Sequence, residues 1–178
     1  NRTLGLVGFG GIGTEVAKRA VPFGVKVIYF CRHPNLADDA AYGVQSVSME
    51  ELLKESDYVV AAVPLTDQTF HLFNEECIAQ MKAGSVLINI AIGPVVDEEA
   101  LAQALASGHL GGCAVDVFPK EPCTDSVLTR YSNALLTPHS ATSTAENSKA
   151  TNFAAANNLV NYLKKDIEAK YVVVQGTR

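Results

Sequence analysis

A glycine-rich segment near the start of the chain constrains the fold most strongly. Gly8, Gly10 and Gly13 have the spacing G-x-G-x-x-G in LGLVGFGGIGTEVAKRA, after an apolar run and at the start of a helical pattern. In a strand–turn–helix of this kind, the first glycine permits a tight turn, the second lets the backbone approach a pyrophosphate, and the third allows close helix–strand packing. The phosphates would meet free N–H groups at the helix start, where Gly11 and Ile12 also lie. The alternative is a glycine-rich turn with only a structural role.

The rest of the chain alternates short apolar runs with helical patterns. Runs rich in Val, Ile and Leu predict strands that are buried on both faces, at Leu4–Val7, Val25–Phe30, Tyr58–Val63, Val86–Ile90, Cys113–Val117 and Ala134–Leu136. The predicted helices are Ile12–Val21, Ser48–Glu55, Glu75–Met81, Glu98–Ser107 and Thr142–Lys165. Alternation of strand and helix predicts an α/β fold with a Rossmann-type doubly wound parallel sheet.

Composition excludes several classes of function. Hydrophobic residues make up 48% and charged residues 19%, which is typical of a globular protein with a real core. The net charge is −5 and there is no basic block, so neither nucleic acid nor a membrane surface is an expected partner. Four widely spaced cysteines without a C-x-x-C pair favour reduced thiols in a cytoplasmic protein. We expect no metal site, because His33, His71 and His109 lack metal-ligand spacing.

The end of the second predicted strand indicates which dinucleotide is bound. An Asp or Glu at this point would hold the ribose of NAD, but the sequence has Cys31 there, followed by Arg32 and His33. A guanidinium pairs well with a phosphate, and no acid is present at this point to repel it. The sequence therefore predicts that NADP(H) is preferred. The alternative is that Arg32 is a solvated loop residue and that NAD(H) is used.

Five blocks of the chain give a more specific indication than the glycine motif alone. They are VGFGGIG, AAVPLTDQT, MKAGSVLINIAIGPVVDEEAL, GGCAVDVFPKEP and LTPHSATST. With them the chain resembles the D-isomer-specific 2-hydroxyacid dehydrogenases over nearly its whole length. The block YFCRHP is similar to the corresponding segment of the NADP-preferring hydroxypyruvate reductases in that family. The resemblance implies an oxidoreductase that interconverts a small 2-keto acid and a 2-hydroxy acid with a nicotinamide cofactor.

The resemblance also implies a catalytic pair. His139 in TPHSATS matches the family's general acid/base, and Glu121 in DVFPKEP matches its carboxylate partner. The chemistry is consistent with these residue types, because a His exchanges protons near neutral pH and an adjacent carboxylate orients it and raises its pKa. The alternatives are a His139 that only caps the following helix and a Glu121 that is only an exposed loop residue.

One position departs from the family pattern. After the fourth strand the family usually has N-T-A-R-G, whereas this chain has Asn89, Ile90, Ala91, Ile92 and Gly93. Isoleucine cannot bind a substrate carboxylate or polarise a carbonyl, and loss of such a contact typically costs ~100-fold or more in rate. Three explanations compete: an impaired homologue that still binds NAD(P) as a structural or sensing ligand, a substrate whose oxyanion is held by other groups, or a residue supplied by another domain.

The resemblance assigns further residues to the cofactor. It places Pro64 and Thr66 along the dinucleotide, Ile90, Ala91 and Ile92 at the end of the fourth strand, and Asp116 and His139 beside the nicotinamide. The alternative for Asp116 is a strand-end carboxylate that is held by backbone N–H groups.

The resemblance finally implies a domain layout. Residues 1–165 are expected to form the dinucleotide-binding domain, and residues 166–178 a tail returning to a substrate domain absent from this chain. The segment Tyr171–Val174 reads as a further strand without an obvious partner. Family dimers form through the cofactor domains, so a homodimer is expected. The alternative is that the helix Thr142–Lys165 packs only across its own sheet.

Overall fold

Seven short strands form one parallel sheet in the computed structural model, which describes residues 2–34, 36–164 and 168. In chain order the strands are β1 (Thr3–Val7), β2 (Lys26–Phe30), β3 (Gln45–Ser46), β4 (Tyr58–Ala61), β5 (Val86–Asn89), β6 (Gly112–Val115) and β7 (Ala134–Leu136). Their order across the sheet is β3-β2-β1-β4-β5-β6-β7. The order therefore reverses at β1, and ligands of doubly wound sheets bind at such a switch point.

Helices connect the strands. They are α1 (Gly11–Ala20), α2 (Leu36–Tyr42), α3 (Met49–Glu55), α4 (Glu75–Ala79), α5 (Glu98–Ala106) and α6 (Ala145–Leu163), with short 3-10 turns at Val21–Phe23, Gly93–Val95 and Val127–Arg130. Two of the helix starts show why the local sequence begins a helix there. Ser48 caps α3 by accepting a bond from Glu51 N–H, and Asp97 caps α5 by accepting from Glu99 and Ala100 N–H.

The sheet buries apolar side chains on both faces. Leu6 and Val7 are adjacent in β1 and both fully buried, but they belong to different clusters because successive strand residues point to opposite faces. Leu6 packs in the cluster that contains Ala17 of α1. Val7 packs in the cluster that contains Leu52 of α3 and Leu101 of α5. Helices on both faces of a parallel sheet confirm the predicted Rossmann-type doubly wound fold.

The register of the sheet brings the ends of its strands to one edge. Val7 at the end of β1 pairs with Phe30 on one side and with Ala61 on the other. The alignment continues from Ala61 to Asn89, then to Val115 and to Leu136. Since all these strands are parallel, the residues that follow them come out at this one edge, which we call the carboxyl edge.

Several predicted elements are shorter in the structure. The strand predicted at Tyr58–Val63 ends at Ala61, and the one predicted at Cys113–Val117 spans Gly112–Val115. In both cases the apolar run continues beyond the last ladder residue into the loops of the carboxyl edge. The helix α2 and the strand β3 were not predicted, because both are short and neither has a clear periodicity.

The chain divides into two compact units, Asn1–His139 and Ser140–Arg178. In the second unit, α6 lies within the predicted helix Thr142–Lys165, and Thr144 caps it by accepting a bond from Asn147 N–H. The described residues do not include Lys165 or, apart from Glu168, the tail 166–178. The predicted strand Tyr171–Val174 lies within this tail. Among the helices of the described residues, none combines the length and the apolar character needed to cross a membrane.

Candidate functional site

The glycine turn after β1 leaves open space where a ligand would contact the protein backbone. Gly8 has a φ of 102°, which favours glycine, and its N–H donates to the Phe30 carbonyl at 2.9 Å. A Cβ at Gly13 would lie 2.3 Å from the Gly8 carbonyl oxygen, so only glycine lets α1 approach the turn this closely. A Cβ at Gly10 would meet nothing within 4 Å. The turn therefore fits a pyrophosphate that approaches the backbone at Gly10.

The first turn of α1, next to Gly10, has backbone N–H groups without intrahelical acceptors. The first helical hydrogen bond runs from Thr14 N–H to the Gly10 carbonyl at 2.9 Å, so the N–H groups of Gly11, Ile12 and Gly13 precede it. No acidic residue lies in the first turn of α1. The positive end of the helix dipole is therefore available to an anion.

A cleft of about 480 Å³ opens at the carboxyl edge between the ends of β2, β1 and β4. Predicted cofactor residues that line it are Gly8, Gly10, Arg32, His33, Pro64 and Thr66. Arg32 and His33 are both exposed. No Asp or Glu lines the cleft among the residues that the structure describes. The cleft has a size typical of ligand sites, and the guanidinium of Arg32 gives one of its walls a positive charge.

Two stacked aromatic rings lie at the cleft, where Phe9 is a lining residue. Phe9, between two motif glycines, lies 4.0 Å from Tyr29 between ring centroids. The Tyr29 hydroxyl donates to Asp39 at 2.8 Å, and burial raises the pKa of Tyr29 to about 12, so the hydroxyl stays protonated. The second Asp39 oxygen accepts from Ser46 N–H at 3.3 Å. The two Asp39 oxygens therefore join α2 to β2 and to β3.

Sequence reasoning missed the far wall of the cleft. The segment after β4 contributes Gln68, Thr69 and Leu72 in addition to the predicted Pro64 and Thr66. This turn has no hydrophobic periodicity that could indicate it. The available signal was its position after the strand that adjoins β1, at the switch point of the sheet.

The predicted catalytic pair is in direct contact. His139 Nδ1 lies 2.7 Å from Glu121 Oε2, although the two residues come from different loops of the carboxyl edge. The other carboxylate oxygen, Oε1, accepts from Phe118 N–H at 2.9 Å. The hydrogen bond to His139 is the largest cause that lowers the pKa of Glu121, and the same bond raises the pKa of His139 above its ordinary 6.5. The arrangement leaves His139 Nε2 as the ring nitrogen that can face a substrate.

Asp116 follows β6 and lies near this pair. It is 8% exposed and accepts a hydrogen bond from the Thr137 hydroxyl at 2.5 Å. Its N–H donates to the Asn89 carbonyl at 3.1 Å. Its charge also contributes to the raised pKa of His139. Asp116 thus ties β6 to the His139 loop and adds negative potential there.

The loop that follows β5 is fixed by its first residue and by close packing. The Asn89 side chain accepts from Ala91 N–H at 3.1 Å and donates to the Ile92 carbonyl at 3.2 Å. A Cβ at Gly93 would lie 2.1 Å from the Phe118 carbonyl carbon, so this loop packs on the backbone that leads to Glu121. Ile90 and Ala91 are half-buried, whereas Ile92 is 41% exposed. An apolar side chain therefore reaches solvent where the family pattern has an arginine.

The remaining histidines have structural contacts. His71 stacks on Phe70 with 4.1 Å between ring centroids, and His109 Nε2 lies 3.0 Å from the Ile78 carbonyl. Within the described part of the chain, no three His, Cys, Asp or Glu side chains are grouped so that they could hold a metal ion.

Comparisons with known proteins identify the family. The family model "D-isomer specific 2-hydroxyacid dehydrogenase, NAD binding domain" matches residues 1–141. A glyoxylate reductase of Pyrococcus furiosus is 40% identical over 166 residues, which cover 93% of this chain and 49% of that protein. A hydroxypyruvate reductase of Thermotoga maritima is 44% identical over 148 residues, which cover 82% of this chain and 47% of that protein.

A solved structure gives the same result. The D-lactate dehydrogenase from Aquifex aeolicus, in complex with NAD and lactic acid, matches with a TM-score of 0.85 and 33% identity, over 93% of this chain and 54% of that one. The chain spans about half the length of the curated relatives it matches. The predicted resemblance is confirmed: the chain belongs to the D-isomer specific 2-hydroxyacid dehydrogenase family, and its residues 1–141 match the NAD binding domain of that family.

Proposed function

We propose that the chain is the cofactor-binding domain of an NADP(H)-preferring oxidoreductase that interconverts a 2-keto acid and a 2-hydroxy acid. The 2.7 Å contact between His139 and Glu121 is the observation that carries the proposal. It provides an acid/base group at the sheet edge that also carries the glycine turn and the cleft. The names of the relatives, a glyoxylate reductase and a hydroxypyruvate reductase, support reduction of a small 2-keto acid.

The proton is handled by the His139–Glu121 pair. A nicotinamide held at Ile90, Ala91, Ile92 and Asp116 would provide the hydride chemistry at the 2-carbon of the substrate. His139 donates a proton from Nε2 to the carbonyl oxygen, or removes it from the hydroxyl of the 2-hydroxy acid. Glu121 accepts from His139 Nδ1–H and thereby fixes the tautomer and the ring orientation, while Phe118 N–H holds the carboxylate in place.

The cofactor residues fall into three groups along the dinucleotide: at the pyrophosphate, at the adenosine half and at the nicotinamide end. In this proposal Gly8, Gly10, Gly11, Ile12 and Gly13 hold the pyrophosphate. Arg32 and His33 hold the ribose 2′-phosphate, and Pro64 and Thr66 lie along the adenosine half. Ile90, Ala91, Ile92, Asp116 and His139 lie at the nicotinamide end.

Arg32 is the residue on which the NADP(H) preference depends. We expect Arg32→Ala to weaken NADPH binding by roughly 10- to 100-fold and NADH binding much less, because one charge-assisted contact contributes about 1.5–3 kcal/mol. Fluorescence titration of the chain with each dinucleotide measures both affinities. Arg130→Ala is the matched control, since Arg130 is exposed and does not line the cleft. Equal losses for both dinucleotides would remove the 2′-phosphate role, and no binding of either by the unaltered chain would refute the cofactor proposal.

A second candidate function follows from Ile92, whose exposed apolar side chain replaces the family arginine. In this second candidate the protein binds NADP(H) as a structural or sensing ligand and does not catalyse.

A test of activity distinguishes the two candidates. Under the first proposal we expect the full-length protein to reduce 2-keto acids such as glyoxylate, with the substrate carboxylate held by other groups. We expect Ile92→Arg to raise the rate by about 100-fold, since it restores a charge-assisted contact. Ile92→Met is the apolar control. Activity that appears only in Ile92→Arg would establish the second candidate instead.

The proposal includes a cytoplasmic homodimer. The four cysteines are widely spaced and form no C-x-x-C pair, which supports a reducing compartment. The second unit presents large apolar side chains on α6 to solvent, among them Phe153 at 69% and Leu163 at 72% exposure, which are suited to contact with a second surface. In the corresponding domain layout, residues 1–165 hold the cofactor and residues 166–178 lead to a substrate domain.

A further inference from the structure

The far wall of the cleft is a turn that its own hydrogen bonds hold in shape. The Thr69 hydroxyl donates to the Pro64 carbonyl at 2.6 Å and accepts from Thr66 N–H at 2.8 Å. Thr69 N–H and Phe70 N–H donate to the Thr66 carbonyl at 3.0 and 2.9 Å. Gln68 lies between these anchored positions and lines the cleft. Its backbone is therefore fixed before any ligand binds.

The side chains around Gln68 divide into apolar surfaces and engaged hydroxyls. Phe30, Val63 and Leu72 line the cleft with apolar groups that suit the faces of a flat ring. The hydroxyls of Thr66 and Thr69 lie 3.1 Å apart and bind each other. Among the described residues that line the cleft, Gln68 is the one carboxamide, with both a donor and an acceptor. The Gln68 carboxamide can therefore form hydrogen bonds with polar atoms on the edge of a bound ring.

The order of the groups along the cleft places a base at this wall. The pyrophosphate fits the glycine turn after β1, and Arg32 and His33 at the end of β2 take the ribose phosphate. The base is attached to that ribose, and the opposite wall of the same cleft is the turn that carries Gln68. A Gln side chain can pair with adenine through two bonds, one to N6 and one to N7.

We infer that the Gln68 carboxamide recognises the N6 and N7 edge of the adenine of the bound dinucleotide, an inference that rests on the proposed cofactor function. Gln68 is a specificity-determining residue in this assignment. It accepts from the adenine amino group and donates to N7. A hypoxanthine ring carries a carbonyl oxygen in place of the amino group, so the bond to the Gln68 oxygen is lost.

Titrations with NADPH and with its deaminated analogue, nicotinamide hypoxanthine dinucleotide phosphate, test the inference on the chain as it is. We expect the unaltered chain to bind NADPH on the order of tenfold more tightly than the analogue. Gln68→Leu is expected to bring this ratio close to one, while its preference for NADPH over NADH is kept because Arg32 is intact. Gln103→Leu, on an exposed position of α5 outside the cleft, is the matched control and is expected to keep the tenfold ratio.

The outcomes separate this inference from the proposed function. If Gln68→Leu keeps the full preference for NADPH over the analogue, the assignment of Gln68 is overturned and the cofactor proposal stands. If the unaltered chain binds neither dinucleotide, the cofactor proposal fails, and the inference fails with it. Since Gln68 is exposed, its substitution leaves the buried clusters intact, and a circular dichroism spectrum identical to that of the unaltered chain confirms the fold.

Discussion

At the scale of single residues, the contact between His139 and Glu121 shifts the pKa of both side chains. The hydrogen bond from His139 to Glu121, followed by the attraction between their charges, raises the pKa of His139 above its ordinary 6.5. We expect Glu121→Gln to lower the pKa of His139, because an amide keeps an acceptor but loses the negative charge. An NMR titration of the His139 ring protons measures the change directly, without substrate.

A matched carboxylate provides the control for this titration. Glu76 is exposed on α4, in an element that does not carry His139, so Glu76→Gln is expected to leave the pKa of His139 unchanged. Asp116 continues to raise the pKa of His139 in both variants. An unchanged midpoint in Glu121→Gln would show that the contact does not tune the imidazole in solution.

The sequence proposes individual site residues but does not show their contacts. His139 and Glu121 were found from the short motifs around them, but spacing alone does not show that their side chains are 2.7 Å apart. Arg32 could be found by counting to the end of the second strand. Gln68 could not, because it lies in a turn whose shape depends on hydrogen bonds of Thr69 rather than on any periodicity.

At the scale of elements, local chemistry explains where some helices start, whereas the ends of three predicted strands have no such local signal. The predicted helix start at Glu98 is confirmed, and Asp97 caps α5 there by accepting from Glu99 and Ala100 N–H. Three of the six predicted strands end too late, because apolar character continues past the hydrogen-bonded ladder. Val63 illustrates the reason: it lies beyond β4, yet it lines the cleft and packs against the core. Because Val63 contributes to both the cleft and the core, its apolar character does not indicate where the strand ladder ends.

The elements α2 and β3 show the opposite error. Neither was predicted, since α2 spans only Leu36–Tyr42 and β3 only Gln45–Ser46. Their position depends on bonds between elements, with Tyr29 of β2 donating to Asp39 of α2 and Ser46 N–H of β3 donating to the same carboxylate. Elements that are held mainly by tertiary bonds are not visible in a single sequence.

At the scale of the whole molecule, the two edges of the sheet have different roles. The carboxyl edge carries the cleft and the His139–Glu121 pair. At the opposite edge the side chain of Asp57, 8% exposed, accepts from Lys82 at 2.8 Å and Arg2 at 2.9 Å. It also accepts from Thr3 N–H at 2.8 Å, at the start of β1. Asp57 thus joins β1 to the segment that precedes β5, far along the strands from the candidate site.

The bond from Lys82, followed by that from Thr3 N–H, holds the pKa of Asp57 well below its ordinary 3.8. A carboxyl whose pKa is lowered by folding stabilises the folded state above its unfolded pKa, and this contribution is lost as the pH falls. We therefore expect Asp57→Asn to lower the free energy of unfolding by about 2–3 kcal/mol at pH 7. The difference from the unaltered chain should shrink below about pH 4, as urea denaturation at a series of pH values would measure.

Two control measurements test whether the effect belongs to the edge of the sheet opposite the carboxyl edge, where Asp57 lies. Glu50→Gln removes an exposed carboxylate that pairs with Lys54 on the surface of α3, and it is expected to change stability little at any pH. NADPH affinity of Asp57→Asn should equal that of the unaltered chain under conditions in which both are folded, because the cleft lies at the other edge. A stability difference that stays constant from pH 7 to pH 3 would mean that Asp57 acts through its shape and not its charge. A loss of NADPH affinity in the folded variant would mean that the two edges are coupled through β1.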